Sequence, residues 1–536
     1  MDTTILKQEP ENTQSSGKTS TARLTGKSER YSEPIKPVTV LLSIATILLT
    51  FRYLFWRLSV NQWQIWWLSA PLLLAELFTA LHILGYQYTI WPRRIRPLSL
   101  ICDSSALPVF IFIPTVNEGA EILGPTIAGA IATRDFFLAK HPKAAVRIIV
   151  CNDGLVANID DWQLVERLSE SLGVECITRQ QRGGAKAGNI ENARQQVGAT
   201  GDNLLVVLDA DQIAELDFLC RTIEPFSDPE VGWVQTRQFY RNTNFQVARW
   251  AENQATLFYD LVCPGKSAIN ASYICGTNVT IRASVLDQIG GFPTDSVTED
   301  FAASIRTHQN WRSVYLKDVL AKGLGPLDVT GYMVQQSRWA RGTLGVVRSD
   351  WRRLLPSKGG LNFDQRVQYF LSGTHYLCGL RDLIFLSTAL VSLYLDTSPI
   401  KSVSISTIAW YLVPYILASQ ILIFVQAGSL SVASGMVIGY ISFPTLVFST
   451  LEAMINRKMR FRVTPKTMSK QGDLRAIFPH IFIVGLCMIV LAHALKNLQS
   501  LTSTELIPLF WVIYALCLLS PTFVLIKRHP DREQSR

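Results

Sequence analysis

The residues that first suggest chemistry lie at 204–211, LLVVLDAD, where an apolar run ends in Asp209 and Asp211. Carboxylates two residues apart after a strand can be aimed by one turn at a single divalent ion. Hard Mg²⁺ or Mn²⁺ suits such oxygens in company with phosphate. Capping of a following helix is the plain alternative. A second acidic cluster, Thr298-Glu299-Asp300, follows Gly290-Gly291-Phe292 by a short polar loop. Asp300 has the character of a general base for a hydroxyl proton, although charges so placed also cap helices. A third cluster is Gln335-Gln336-Ser337-Arg338-Trp339. Arg338 can clamp phosphate oxygens with two hydrogen bonds, and Trp339 offers a flat face to a sugar ring. An amphipathic helix with snorkelling arginines at a membrane surface accounts for the same residues.

Further polar clusters follow other apolar runs. Thr115, Asn117 and Glu118 sit in PTVNE at 114–118, and Asp153 sits in CNDG at 151–154. A carboxylate there can accept hydrogen bonds from a nucleotide base or ribose, or serve only as turn chemistry. Lys186, in RGGAKAGN at 182–189, can present a point charge to phosphate. Cys275 and Gly276 belong to a compact turn, YICGTN, at 273–278. The nine cysteines show neither metal-ligand nor redox spacing.

Elements that could position these clusters alternate between residues 105 and 350. Strand-like runs at 109–113, 146–150 and 204–208 are each followed by polar residues and helical periodicity. That pattern predicts a mostly parallel sheet with helices on both faces, whose ligands bind beyond the carboxyl ends of the strands.

The ends of the chain differ in composition from its centre. Of 536 residues, only 17% are charged and 48% are apolar, with 13 Trp and 25 Phe. A wholly soluble protein is excluded, and the polar centre excludes a plain membrane bundle. Spans are expected at 38–55, 65–84, 378–397, 405–427, 476–495 and 505–526. The apolar stretch 432–456 reads as an interfacial helix, because counting it as a span would export the basic residues at 457–470 and the tail KRHPDR. Arg93, Arg94 and Arg96 place the domain that follows on the cytoplasmic side. The net charge of +9 then reflects cytoplasmic loops and anionic lipid rather than nucleic acid. Residues 1–36 are polar and read as a disordered tail, with no cleaved signal peptide.

In this order and between spans, the clusters resemble the membrane-embedded family 2 glycosyltransferases, and among them the catalytic subunits of bacterial cellulose synthases. The matching pieces include FIPTVNE (112–118), NDG (152–154), AKAGNIENA (185–193), LDAD (208–211), CGTN (275–278), TEDFAASIR (298–306), QQSRWARG (335–342) and FRVTPK (461–466). The resemblance implies an α/β GT-A domain at 105–350, inserted between transmembrane helices 1 and 2 (37–90) and the rest of the membrane part. It further implies an interfacial segment (351–377), helices 3 and 4 (378–427), an interfacial helix (432–456), a gating loop (457–472), helices 5 and 6 (474–527) and a tail (528–536).

The residue roles that the resemblance implies are specific. Asp153 would meet the uracil of a UDP-sugar, with Thr115, Asn117, Glu118 and Lys186 on the donor side. Asp209 and Asp211 would hold the diphosphate and an Mg²⁺ or Mn²⁺ ion. Asp300, beside Glu299, would activate the acceptor hydroxyl. Gln335 and Arg338 would bind diphosphate, while Trp339, Cys275 and Gly276 would receive the acceptor. Phe461, Val463, Thr464 and Lys466 would belong to the gating loop. The implied activity is inverting, processive synthesis of a β-glucan from UDP-glucose, 1,4-linked by default, with translocation across the plasma (inner) membrane from a cytoplasmic catalytic domain.

Single transfer to a lipid acceptor, or a non-catalytic transporter or scaffold, are the competing readings. The partners implied are the donor, a growing glycan or lipid acceptor, membrane lipids, and export or accessory subunits. Two positions depart from the family's pattern: Asn152 replaces the first of an aspartate pair, and Gly184 replaces a histidine. The short run after the last span leads us to expect no cyclic-di-GMP domain in this chain.

Overall fold

Long apolar runs in the centre of the chain must be buried on both faces, and in the computed structural model they form one sheet. The structure describes residues 37–93, 95–455, 474–496 and 505–527. The strands are β1 (Val109–Thr115), β2 (Val146–Asn152), β3 (Glu175–Thr178), β4 (Leu204–Val207), β5 (Ile213–Ala214), β6 (Val231–Thr236), β7 (Val279–Arg282), β8 (Arg312–Leu316) and β9 (Ala321–Lys322). Seven of them make a sheet of order β3-β2-β1-β4-β7-β6-β8, and β5 pairs with β9 apart from it. Every residue of β1 is buried, as expected of a strand covered on both faces. Val109, Ile111 and Ile113 pack into one core, and Phe110 and Phe112 into the other.

The sheet is mostly parallel, but β7 runs antiparallel to both β4 and β6. Nothing in the four residues of β7 encodes direction. Its direction is set by where the long connection after β6 re-enters the sheet. That reversal brings the 273–278 turn to the end of β4, where the Asn278 amide donates to the Val207 carbonyl at 2.9 Å.

The helix Ala120–Lys140 is long and apolar enough to cross a membrane, a possibility the composition of the centre did not suggest. Its Leu123, Ile127, Ala130 and Phe137 are buried in the core beside the sheet. Thr126 Oγ1 also donates to the Ala210 carbonyl at 2.8 Å. Its apolar face therefore covers the sheet.

Six other helical runs are long and apolar enough to span: Pro37–Ser59, Trp63–Ile90, Phe363–Tyr394, Ile405–Ala427, Ile477–Lys496 and Leu506–Ile526. The chain is thus a multi-pass membrane protein with a soluble α/β region between its spans. The 432–456 stretch is two helices, Val432–Ile441 and Phe443–Met454, bent by 52°. It packs against the soluble region: Ser337 Oγ lies 2.8 Å from Ser449 Oγ, and Arg341 pairs with Glu452 at 2.9 Å. A Cβ on Gly435 would lie 2.4 Å from the backbone nitrogen of Gln254.

The first two spans enclose charge. Arg57 pairs with Glu76 at 2.7 Å and donates to Asn61 at 3.0 Å, and Tyr53 donates to Glu76 at 2.9 Å. Tyr53 in turn stacks on Tyr415 of the fourth span at 4.7 Å. With Arg57 only 1% exposed, removing either partner strands a charge in apolar surroundings. We expect Arg57→Ala to cost about 3–5 kcal/mol, read as a lower midpoint of thermal unfolding in detergent. Replacing Arg57 and Glu76 together with leucine should recover most of that loss.

Candidate active site

Asp153 directly follows β2, and its amide donates to the Thr115 carbonyl at 2.9 Å, which sets the ends of β1 and β2 side by side. Its carboxylate is buried. Both oxygens are held by Arg179, with Nε–Oδ1 at 2.8 Å and Nη2–Oδ2 at 2.6 Å. Burial pushes the Asp153 carboxyl up, while the Arg179 guanidinium pulls it back. Arg179 also donates to the carbonyls of Gly183 and Ala185, fastening the glycine-rich loop that leads to Lys186. A Cβ on Gly188 would run into the backbone carbonyl of Gly183 as well as Arg179 Nη1, so only glycine fits there. Sequence reasoning missed Arg179, although an arginine directly after a short strand and just before a Gly-Gly loop was a usable signal.

Lys186 opens the helix Ala185–Gln196. Its Nζ is 2.5 Å from Asp209 Oδ1 and donates to the Gly276 carbonyl at 2.6 Å. Burial pulls the amine down, but the carboxylates of Asp209, Glu299 and Asp300 outweigh it and the net shift is upward. Gly276 has φ +82°, and a Cβ there would stand 3.1 Å from Asp300 Oδ2. The left-handed backbone and the close approach both require glycine. The turn is further held by Thr277 Oγ1, which accepts the Asp209 amide at 2.8 Å.

Asp300 lies in the first turn of the helix Glu299–Thr307, where its Oδ1 accepts the Phe301 amide at 2.8 Å. Burial first, and the charge of Glu299 second, push its carboxyl up to about 7. Burial also raises Glu299, against the pull of Lys186. Asp211 is buried, and its Oδ2 accepts the Leu324 amide at 2.9 Å. The helix Val329–Asp350 carries Gln335, Arg338 and Trp339. Gln335 donates to Tyr240 Oη at 3.2 Å, and Trp339 is half-buried. A Cβ on Gly342 would lie 2.5 Å from Thr298 Cγ2, so this helix rests directly on the turn that presents Glu299 and Asp300.

The structure therefore joins Lys186, Asp209, Gly276, Glu299 and Asp300 in one cluster. Arg179 links Asp153 to its edge, and the Val329–Asp350 helix lies alongside. Glu118 is placed differently: its Oε2 accepts Thr115 Oγ1 at 2.8 Å and the amides of Val116 and Asn117 at 2.9 and 3.2 Å. It closes its own turn, and Asn117 is exposed. The amide of Cys275 is held by Gln235 Oε1 at 2.8 Å, and its carbonyl by Gln238 Nε2 at 2.6 Å. Both glutamines lie in VQTRQF (234–239), a stretch that also matches the family, but neither was assigned a role from sequence. Phe461, Val463, Thr464 and Lys466 lie outside the described residues. No group of three or more His, Cys, Asp or Glu side chains that could hold a metal occurs among the described residues. Asp209 Oδ1 is tied to Lys186, and Asp211 Oδ2 to the Leu324 amide.

Replacing Arg179 by methionine leaves Asp153 buried without its cation. We expect a loss of about 3–5 kcal/mol near neutral pH. An unpaired buried carboxyl titrates above the unfolded value of about 4. The folded variant therefore holds a proton that the unfolded chain has released, and its stability falls as pH rises between those two values. Thermal unfolding at acidic and alkaline pH should show the gap to wild type widening with pH.

The chain resembles known proteins over most of its length. The family described as "Glycosyl transferase family 2" matches residues 110–290, and "Glycosyl transferase family group 2" matches residues 204–425. "Cellulose synthase 2" of Novacetimonas hansenii is 29% identical over 489 residues, covering 86% of this chain and 29% of that protein. "Cellulose synthase catalytic subunit [UDP-forming]" of Pseudomonas fluorescens (strain SBW25) is 29% identical over 506 residues, covering 89% and 65%. "Cellulose synthase 1 catalytic subunit [UDP-forming]" of Komagataeibacter xylinus is 31% identical over 394 residues, covering 71% and 50%. The chain thus spans between 29% and 65% of the length of these relatives. Among solved structures, a mannosyltransferase from Pyrobaculum calidifontis in complex with GDP-Man and Mn²⁺ has a TM-score of 0.45 at 18% identity. It covers 73% of this chain and 100% of that one, a likeness too loose to add to the argument. With its GT-A-like sheet set among membrane spans, the chain belongs to the family 2 glycosyltransferases and is related to the catalytic subunits of bacterial cellulose synthases.

Proposed function

We propose that the chain is an inverting UDP-sugar-dependent glycosyltransferase that extends a β-glucan from UDP-glucose, residue after residue, and passes the product through its membrane part. The observation that carries this reading is Asp300. It is a half-buried carboxyl pushed up to about 7, against a glycine turn and beside a lysine that is tied to Asp209. A base with a value near the working pH combines useful ionisation with useful basicity. It takes the proton of an acceptor hydroxyl as that oxygen attacks the anomeric carbon from the face opposite the diphosphate.

The other residues position the reactants. Asp153, oriented by Arg179, accepts from the uracil, and Thr115 lies at the neighbouring strand end. Lys186 and Arg338 attract the diphosphate, with Gln335 beside them. Trp339 underlies the acceptor sugar, and the Cys275–Gly276 turn borders it. Asp209 and Asp211 would hold Mg²⁺ or Mn²⁺, which when bound neutralises charge on the departing diphosphate. Because the hydroxyl attacks directly, no covalent enzyme intermediate is needed. The basic residues around Arg93 and Arg96 support a cytoplasmic catalytic region in the plasma membrane. The FRVTPK segment supports a gating loop and a repeating cycle over single transfer to a lipid.

The test is incubation of lipid-reconstituted protein with radiolabelled UDP-glucose and Mg²⁺ or Mn²⁺. The expected product is high-molecular-weight label digestible by a linkage-specific glucanase. Label confined to one extractable lipid would replace the polymer reading by a glycolipid synthase. Absence of transfer from any UDP-sugar would end the enzymatic reading. Asp300→Asn should lower kcat by about 10²–10⁴-fold. The rate must also follow the ionised fraction of Asp300. It should climb as pH rises through about 7, and an acid limb that persists unchanged in Asp300→Asn would remove Asp300 as the base.

A further inference from the structure

Directly after the Val329–Asp350 helix, residues 351–370 leave large apolar side chains uncovered. Trp351 is 50% exposed, Leu355 49%, Phe363 62% and Phe370 40%. Arg352, Arg353, Lys358 and Arg366 are interleaved with them against a single acid, Asp364. Arg353 is committed to Asp350 at 3.1 Å. Among the described residues, Arg352, Lys358 and Arg366 have no carboxylate partner. The helical run that begins at Phe363 continues to Tyr394 and is itself a candidate span, so this surface is continuous with the membrane part. We propose that the 351–370 segment is seated on the anionic headgroups of the bilayer, and that this contact sets the position of the helix carrying Asp300.

The apolar residues and the cations point to one occupant. Exposed Trp and Phe suit the interfacial layer of a bilayer, and unpaired arginine and lysine beside them are drawn to anionic headgroups.

Two connections lead from this surface to the site. The first is ionic: Asp350, which holds Arg353, also holds Arg306 at 2.9 Å, and Arg306 lies on the Glu299–Thr307 helix. The second is packing: Leu361 and Tyr369 share a core with Phe301 and Ile305 of that helix. Tyr273, two residues before Cys275, meets Phe301 edge-on at 5.1 Å. The lipid-facing segment is therefore the rear support of both Asp300 and the 273–278 turn.

This inference rests on the proposed transferase activity for its rate readout only. The full chain is placed in nanodiscs of phosphatidylcholine alone or with about 30 mol% phosphatidylglycerol, the anionic component supplying the attraction. Hydrogen exchange is followed over 351–370 and 299–307, and transfer from UDP-glucose is measured in parallel. Anionic lipid should slow exchange in both segments and raise the transfer rate roughly threefold or more. The combined variant Arg352→Gln, Lys358→Gln, Arg366→Gln should keep the phosphatidylcholine rate and lose the gain. About 0.5 M salt should cancel the gain in wild type by screening.

Equal exchange in the two lipids, or a variant that retains the full gain, would overturn the proposal. So would slowing at 351–370 with none at 299–307, because the coupling would then be absent. If no UDP-sugar is turned over in either lipid, the functional reading fails, and the exchange difference still decides this one.

Discussion

The contact between Lys186 and Asp209 is the interaction on which the site depends. Three carboxylates, Asp209, Glu299 and Asp300, approach one lysine, and the charge of Glu299 helps to raise Asp300. Lys186 is the cation placed among them, 2.5 Å from Asp209 and bonded to the Gly276 carbonyl. It stands in the same cluster where burial and the charge of Glu299 push Asp300 up to about 7. Two acids in one cluster are thereby separated in role by their surroundings alone.

That arrangement constrains the backbone around it. Lys186 reaches Asp209 because the glycine-rich loop before it is pinned by Arg179, the same guanidinium that holds Asp153. The base-binding and phosphate-binding ends of the proposed donor site thus share one side chain. On the other side, Gly276 adopts a left-handed conformation, and a Cβ there would stand 3.1 Å from Asp300 Oδ2. A side chain there would push apart the carboxylate and the lysine together.

The membrane part and the soluble part are not joined by a simple tether. The Val329–Asp350 helix rests on the turn before Asp300 and, on its other side, on the bent helices at 432–454. Residues held against the site are therefore also held against elements at the membrane. Trp339, the residue proposed to underlie the acceptor, is carried by this shared helix.

Signals carried by a short stretch of chain were legible in the sequence. Apolar runs long enough to span a membrane, alternation of strand and helix, and carboxylates at the ends of apolar strands all follow from local composition and period. So do the motifs that bear the family resemblance. Long-range pairing was decided only by the tertiary structure. The antiparallel direction of β7, the union of Arg179 with Asp153 and the folding of Glu118 into its own turn depend on which segments the sheet sets side by side. Ala120–Lys140 makes the same point: its composition suits a bilayer or the face of a sheet equally, and its contacts with β1 and β2 assign it to the sheet. Hydrophobicity marks what must leave water, but not which apolar surface will receive it.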